Sequence, residues 1–342
     1  MMKILSNIYS TLSSLEKNFF DTFDFLKHRT KAKVVSIGNL SMGGTGKTPV
    51  LFEIIRELQE KYPKLNLMVL TRGYRCPWEN SFYELYGNGE HPFELTDEAL
   101  MLNKRFPNVP VMVGKNRQHA SIIGEIRYNP DIILLDDGFQ YRRLYKDFDF
   151  LLWDAMSKPE EAQLIPSGRL REPIERLKQA NVILLTRCES ASNEQIDYWI
   201  NWLAEKAPNI PIIKTKTFCE GIFKEGGNNA NLIKEKGLLA FSAIGRPDSF
   251  YEQLKQCGFN ILCKKEFRDH HRFSDNDLDS LIKEAHRNNL SLICTEKDAV
   301  KIKSEYAKKM DLNILRIKTI PVLEKDFISI GAFSSFLANF EG

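Results

Sequence analysis

No segment restricts the fold of this chain as tightly as residues 36–49, which read Ser-Ile-Gly-Asn-Leu-Ser-Met-Gly-Gly-Thr-Gly-Lys-Thr-Pro. The run Lys33 to Ile37 ahead of it reads as a strand. The run Lys47 to Glu60 behind it reads as a helix, with Val50, Leu51, Ile54, Ile55 and Leu58 on one face. Pro49 sits in the first turn, where a missing N–H does no harm. A strand, a glycine-rich loop and a helix in that order form a phosphate cradle. Gly43, Gly44 and Gly46 let the backbone curl and aim N–H groups at phosphate oxygens. The loop is therefore expected to comprise Ser41, Met42, Gly43, Gly44, Thr45, Gly46, Lys47 and Thr48. Lys47 would reach the β- and γ-phosphates, and the Thr48 hydroxyl would bind Mg²⁺. The strict pattern G-x-x-x-x-G-K-[ST] has glycine where this chain has Ser41.

The rest of the chain fits that opening. Strands are expected at Leu65 to Leu70, Val109 to Val113, Ile132 to Leu135, Phe148 to Trp153 and Val182 to Leu185. Continuous apolar strands such as Ile132 to Leu135 imply burial on both faces of a parallel sheet. The predicted fold is α/β, a P-loop NTPase-like doubly wound parallel sheet with a second, smaller α/β domain. The second block starts near residue 216, after which Gly226, Gly227, Asn228 and Asn229 mark a turn. It holds strands at Leu238 to Phe241, Phe259 to Cys263 and Ser291 to Cys294, and helices at Ser249 to Gln256 and Leu278 to Asn288. The expected domains are 31–215 for the P-loop part and 216–311 for the smaller part. Residues 312–342, with strand-like pieces at Leu312 to Ile317 and Phe327 to Ile330, would return to the first.

Residues 1–30 form a separate expectation. Ile4, Ile8, Leu12, Leu15, Phe19, Phe23 and Leu26 follow steps of three or four and lie on one helical stripe. Lys27, His28, Arg29, Lys31 and Lys33 then follow as a basic cluster. Such a helix either packs on the protein's own core or lies on a membrane surface. No stretch approaches the ~18 apolar residues of a spanning helix. The six cysteines form no C-x-x-C pair and read as small core hydrophobes of a reducing compartment. A net charge of +3 singles out no partner, and no nucleic-acid partner is expected.

A second motif supports the loop. Ile132-Ile133-Leu134-Leu135-Asp136-Asp137-Gly138-Phe139-Gln140 is a buried strand ending in two carboxylates. Acid at the carboxyl end of such a strand holds Mg²⁺ on a P-loop nucleotide, directly or through water. Either Asp136 or Asp137 could face the metal. Guanine specificity is unsupported, because Thr295-Glu296-Lys297-Asp298 has the wrong spacing for a base-reading element. Met42 stands where partitioning-type ATPases carry a second lysine.

The stretch VVSIGNLSMGGTGKTP, together with DDGFQ, strongly resembles the tetraacyldisaccharide 4'-kinases of lipid A biosynthesis. Further similar elements recur in order: Leu70-Thr71-Arg72-Gly73-Tyr74, Thr96-Asp97-Glu98, and Val113-Gly114 with Arg117. After them come Pro166-Ser167-Gly168-Arg169-Leu170-Arg171-Glu172-Pro173, Asp269-His270 and Thr295 to Lys301. The resemblance implies phosphorylation of the 4' hydroxyl of a tetraacylated glucosamine disaccharide 1-phosphate, with ATP and Mg²⁺, giving lipid IVA. It implies a peripheral protein on the cytosolic face of the bacterial inner membrane, read here as a monomer acting on its lipid disaccharide. It also shifts the N-terminal stripe toward the membrane-surface reading.

By the same resemblance Asp97 is the base for the hydroxyl and His270 its partner, with Lys47 and Asp137 completing the reacting centre. His271 is the fallback for His270. Asp97 and His270 fall in different blocks, so their pairing is expected on domain closure. A bland rival makes Asp97 the N-terminal acid of a helix capped by Thr96. Arg72, Arg117, Arg171 and Glu172 are the expected substrate contacts, guanidinium forks being suited to phosphate. For Arg171 the rival is a surface ion pair with Glu172.

Overall fold

The computed structural model describes residues 27–74, 76–89, 92, 94–227 and 236–322. The stripe at 4–26 and the piece Phe327 to Ile330 lie outside them. In chain order the main elements begin with β1 (Lys33–Asn39), α1 (Lys47–Lys61), β2 (Leu67–Thr71), β3 (Tyr83–Leu85), α2 (Asp97–Arg105) and β4 (Val111–Val113). They continue with α3 (Arg117–Tyr128), β5 (Ile132–Asp136), β6 (Phe148–Asp154), β7 (Val182–Thr186), α4 (Asn193–Lys206) and β8 (Ile212–Phe223). The rest are β9 (Leu238–Ser242), α5 (Pro247–Gln256), β10 (Ile261–Glu266), α6 (Asp275–Arg287), β11 (Ser291–Thr295), α7 (Glu296–Ala299), α8 (Ser304–Lys309) and β12 (Asn313–Pro321).

The chain divides into two compact units. The larger takes residues up to Glu94, Phe106–Thr217 and those from Thr319. The smaller takes Leu95–Arg105 and Phe218–Lys318. In the larger unit the strand order is β8–β7–β6–β1–β5–β2–β4–β3. All neighbours run parallel except β3, which is antiparallel to β4. β1 lies between β5 and β6, with Val35 opposite Leu134 and Ile37 opposite Phe150. Strands β2, β5, β6 and β7 are buried along their whole length, as sheet strands covered on both faces must be. One apolar cluster joins Leu151, Ile183 and Leu185 to Trp199 and Leu203 of α4. Another joins Met68, Leu70, Met112 and Ile133 to Ala120 of α3. The loop after β1 thus leaves the carboxyl end of a central strand, the position that an open α/β sheet reserves for ligands.

The smaller unit carries parallel strands in the order β10–β9–β11–β12. α6 presents Leu278, Leu281, Ile282 and Ala285 to its core. Two boundaries differ from expectation. β10 starts two residues later than predicted and runs on through Lys264, Lys265 and Glu266. It is the edge strand, half exposed in strict alternation, so charged residues fit there although they read as loop. β12 does not open in the larger unit. Asn313 to Leu315 pair with Ile293 to Thr295 inside the smaller one, and the chain joins the larger unit only from Thr319. There Thr319 meets the Thr217 hydroxyl at 2.8 Å, and Val322 N–H donates to Lys214 O at 2.7 Å.

α2 belongs to the smaller unit although its sequence neighbours belong to the larger. It buries Ala99, Met101 and Leu102 and is tied by ion pairs: Arg105 with Glu220, Lys104 with Glu225 at 2.8 Å, and Glu98 with Lys297 at 3.2 Å. The Gly226–Gly227 turn is present, both glycines having positive φ. Cys76, Cys188 and Cys294 are buried, and Cys219, Cys257 and Cys263 partly so; all six are free thiols.

Candidate functional site

The loop between β1 and α1 is built from behind. Its carbonyls are taken by groups of the larger unit: Met42 O accepts from Arg169 Nη2 at 2.9 Å, Gly44 O from Arg187, and Thr45 O from Thr186 Oγ1 at 2.9 Å. In a trans peptide the next N–H points opposite to the carbonyl. Holding these three oxygens therefore turns the N–H groups of Gly43, Thr45 and Gly46 the other way. Gly43 at φ 106° and Gly46 at φ 85° make the two left-handed steps this path requires. Gly46 is also the N-cap of α1. No side chain caps that helix and no acid stands in its first turn, so its free N–H groups and positive end remain for an anion. The residues present fit a nucleotide's phosphate tail.

Ser41 explains itself here. It forms an antiparallel bridge with Leu170, while Met42 N–H donates to Arg169 O and Arg171 N–H to Leu40 O, both at 2.7 Å. An extended, paired position gains nothing from glycine.

Lys47 Nζ lies 3.1 Å from Asn39 Oδ1 and 3.4 Å from Asp137 Oδ1. Arg171 grips both Asp137 oxygens at 3.0 and 3.1 Å and donates to Asn39 Oδ1 at 2.7 Å. Burial works against ionising Asp137, but Lys47 and Arg171 more than offset it and hold the carboxyl well below the usual range. Asp137 itself is left-handed at φ 48°. Arg117 fixes that turn by donating through Nη1 to the carbonyls of Asp136 and Asp137, 3.0 Å each, with its guanidinium over the Tyr141 ring. The Asp136 carboxylate is buried and accepts from Thr71 Oγ1 at 3.1 Å. Asp137 is thus the carboxylate of the pair that meets Lys47. Mg²⁺ on a nucleotide needs only one or two carboxylates besides phosphate oxygens, and among the described residues no group of three or more His, Cys, Asp or Glu forms a fuller cage.

In the smaller unit His270 Nδ1 and Asp97 Oδ2 are 3.1 Å apart. The ring is 59% exposed and the carboxylate only 12%. Burial would raise the Asp97 pKa, but His270, Lys301 and Lys297 outweigh it and keep the group ionised below its ordinary value. The Asp97 hydrogen bond in turn lifts His270 above its ordinary 6.5. The rival reading of Asp97 also holds, because it opens α2 and Thr96 Oγ1 accepts from Ala99 N at 3.4 Å. One residue does both.

A family model described as Tetraacyldisaccharide-1-P 4'-kinase matches residues 1–330. The chain belongs to this kinase family. A tetraacyldisaccharide 4'-kinase of Halothermothrix orenii is 30% identical over 334 residues, covering 92% of this chain and 86% of that one. One of Koribacter versatilis is 33% identical over 292 residues, covering 83% and 82%. LpxK from Aquifex aeolicus, solved in complex with ATP, superposes with a TM-score of 0.75 over 94% of each chain at 24% identity, which establishes the shared fold.

Among the positions expected from kinship to these kinases, several come together and others do not. Lys47, Asp137 and Arg171 form one cluster, with Arg117 behind it. Arg171 pairs with Asp137, not with Glu172 as its rival reading had it. Glu172 departs from expectation: it is 4% exposed and lies 2.8 Å from both Arg142 and Arg176. Its carboxylate neutralises two buried guanidinium groups and is not offered to a ligand. Arg72 pairs with Glu79 at 2.9 Å and lines a cavity of about 460 Å³ with Lys115, Arg117, Arg142 and Arg143. His271 Nε2 meets Asp277 Oδ2 at 3.1 Å in the α6 cap, so it is not the partner of Asp97. The pairing of Asp97 with His270 needs no domain closure, because both stand in the smaller unit. Sequence reasoning missed Asn39, Arg169 and Arg187. For Asn39 a signal existed, since a polar residue at the buried end of a mostly apolar strand needs partners.

Proposed function

We propose that this chain transfers the γ-phosphoryl group of ATP to the 4' hydroxyl of a tetraacylated glucosamine disaccharide 1-phosphate, giving lipid IVA. The observation that carries the reading is Lys47, held by Asn39 and Asp137 beside a loop whose carbonyls are taken from behind, so that its N–H groups are left for a phosphate. Family membership supplies the acceptor. When bound, Mg²⁺ neutralises phosphate charge during transfer; Thr48 together with Asp137 or Asp136 would hold it.

This chain's own residues do the rest. Lys47 and the loop N–H groups bind and orient the phosphate tail. Arg171 holds Asp137 in place, and Asn39 Oδ1 steadies Arg171 and Lys47 by accepting from both. Asp97 accepts a hydrogen bond from the acceptor hydroxyl and takes its proton late, as suits a carboxylate of low basicity in a loose phosphoryl transfer. His270 orients Asp97. Arg72 and Arg117, in the basic cavity, suit the anionic end of the acceptor. Among the described residues no helix is long and apolar enough to cross a membrane. The stripe at 4–26 and the basic residues after it support a peripheral seat on the cytosolic face of the inner membrane.

The test is transfer of label. Full-length protein, γ-labelled ATP and the disaccharide 1-phosphate in mixed detergent micelles should yield labelled lipid. Release of phosphate with unlabelled lipid would overturn the assignment.

A further inference from the structure

His270 holds an unfavourable backbone. Its φ of 60° is left-handed, a region uncommon for residues with a Cβ, though histidine visits it more than most, and one that surrounding contacts must hold. Its side chain does little of that enforcing, being mostly exposed, with Asp97 at 3.1 Å and Asp269 Oδ1 at 3.9 Å from its two nitrogens. The restraint is in the main chain. His270 N–H donates to Ala243 O at 3.2 Å. That carbonyl also accepts from Lys301 Nζ at 3.3 Å. The N–H of the same Ala243 donates to Asp298 Oδ1 at 3.1 Å, and Lys301 Nζ lies 2.7 Å from that Oδ1. The other Asp298 oxygen accepts from Thr295 Oγ1 at 2.6 Å. Asp298 is fully buried and Lys301 nearly so. An ion pair is costly to bury, and this one spends its hydrogen bonds on both polar groups of a single alanine.

We infer that Asp298 and Lys301 form a positioning pair that locks Ala243 and thereby holds His270 in its left-handed turn against Asp97. The inference rests on the proposed role of Asp97 and His270 and extends it to residues that touch neither the hydroxyl nor the nucleotide. Thr295 completes the lock by fixing the Asp298 carboxylate. The charged groups around the His270 ring are Asp97, Asp269 and, at longer range, Lys297.

Lys301→Met gives opposite signs for the two ways in which this lysine could matter. If Lys301 acts only as a charge, its removal favours imidazolium, and the His270 midpoint stays or rises. If it positions His270, the contact with Asp97 loosens and the midpoint falls toward 6.5. The experiment is a pH titration of the histidine ring signals in full-length protein, with His270→Gln identifying the resonance, alongside kcat and KM. The expected result is a downward shift of the midpoint and a loss of about 10- to 100-fold in kcat with KM for ATP little changed, the scale expected when a reacting group is misplaced. Asp298→Asn combined with Lys301→Met leaves no unpaired buried charge and should give the same shift. Thr295→Val, which alters no charge, should give a smaller one and decides the matter if neither lysine variant folds. A folded variant with an unmoved or raised midpoint and undiminished kcat would overturn the inference. Should Asp97→Ala leave kcat untouched, the acid–base reading has failed, and the midpoint still decides whether Lys301 positions the ring.

Discussion

Asp137 in the larger unit and His270 in the smaller both stand in left-handed backbone, at φ 48° and 60°, yet they are held in opposite ways. Asp137 is gripped through its side chain by Lys47 and Arg171, and Arg117 binds its carbonyl. His270 is held chiefly through its N–H, by an alanine that two buried charges immobilise. The cradle therefore concentrates charge on the Asp137 side chain, whereas the Asp97–His270 pair has Lys297 near its carboxylate, takes the backbone restraint of His270 from charges one residue removed, and leaves the ring at the surface. On the proposed roles, a group that meets phosphate would gain from crowded cations, and a pair that orients a hydroxyl would need direction more than field strength.

That contrast can be tested by deletion. The largest effect belongs to Lys47→Ala. Losing a cation that acts on the transferred group is expected to lower kcat by about 10³- to 10⁵-fold, and single-turnover kinetics would reveal a survivor. Asp97→Asn should lower kcat by about 10²- to 10⁴-fold while calorimetry finds ATP binding intact. Weakened ATP binding would erase the division of labour between the units. Arg171→Ala removes charge-assisted hydrogen bonds worth about 1.5–3 kcal/mol, and should weaken the Asp137–Asn39 arrangement enough to raise KM for ATP roughly 10- to 100-fold.

The smallest effect is on stability. His270 titrates higher when folded, so its contribution is complete below pH 6.5 and lost as pH rises through the lifted value. Asp97 titrates lower, so its contribution is present above its ordinary 3.8 and lost as pH falls through the depressed value. Melting curves of the wild type and a Asp97→Asn/His270→Gln variant should differ most between those limits, by about 0.2–1 kcal/mol given the solvent screening of the ring.

How much of this was legible beforehand depended on whether a residue's partners are near it in sequence. Lys47, Thr48 and the strand ending in Asp136 and Asp137 could be read directly, because strand, loop and helix are local. The α/β order followed from apolar runs such as Ile132 to Leu135. Glu172 could not be placed, since Arg176 four residues on reads equally well as a surface pair, Arg142 lies 30 residues away, and nothing local reports burial. The home of α2 was hidden for the same reason: its anchors, Glu220, Glu225 and Lys297, come more than a hundred residues later. Edge strand β10 misled because half-exposed strands tolerate the charges that also mark loops.

The backing of the loop by Arg169 and Arg171 has a practical corollary. Met42 is fastened through its main chain alone, its N–H to Arg169 O and its carbonyl to Arg169 Nη2, while its side chain stands 52% exposed. A fluorophore or spin label attached there would ride on the rim of the cradle without bending it, and would report the arrival of a nucleotide in real time.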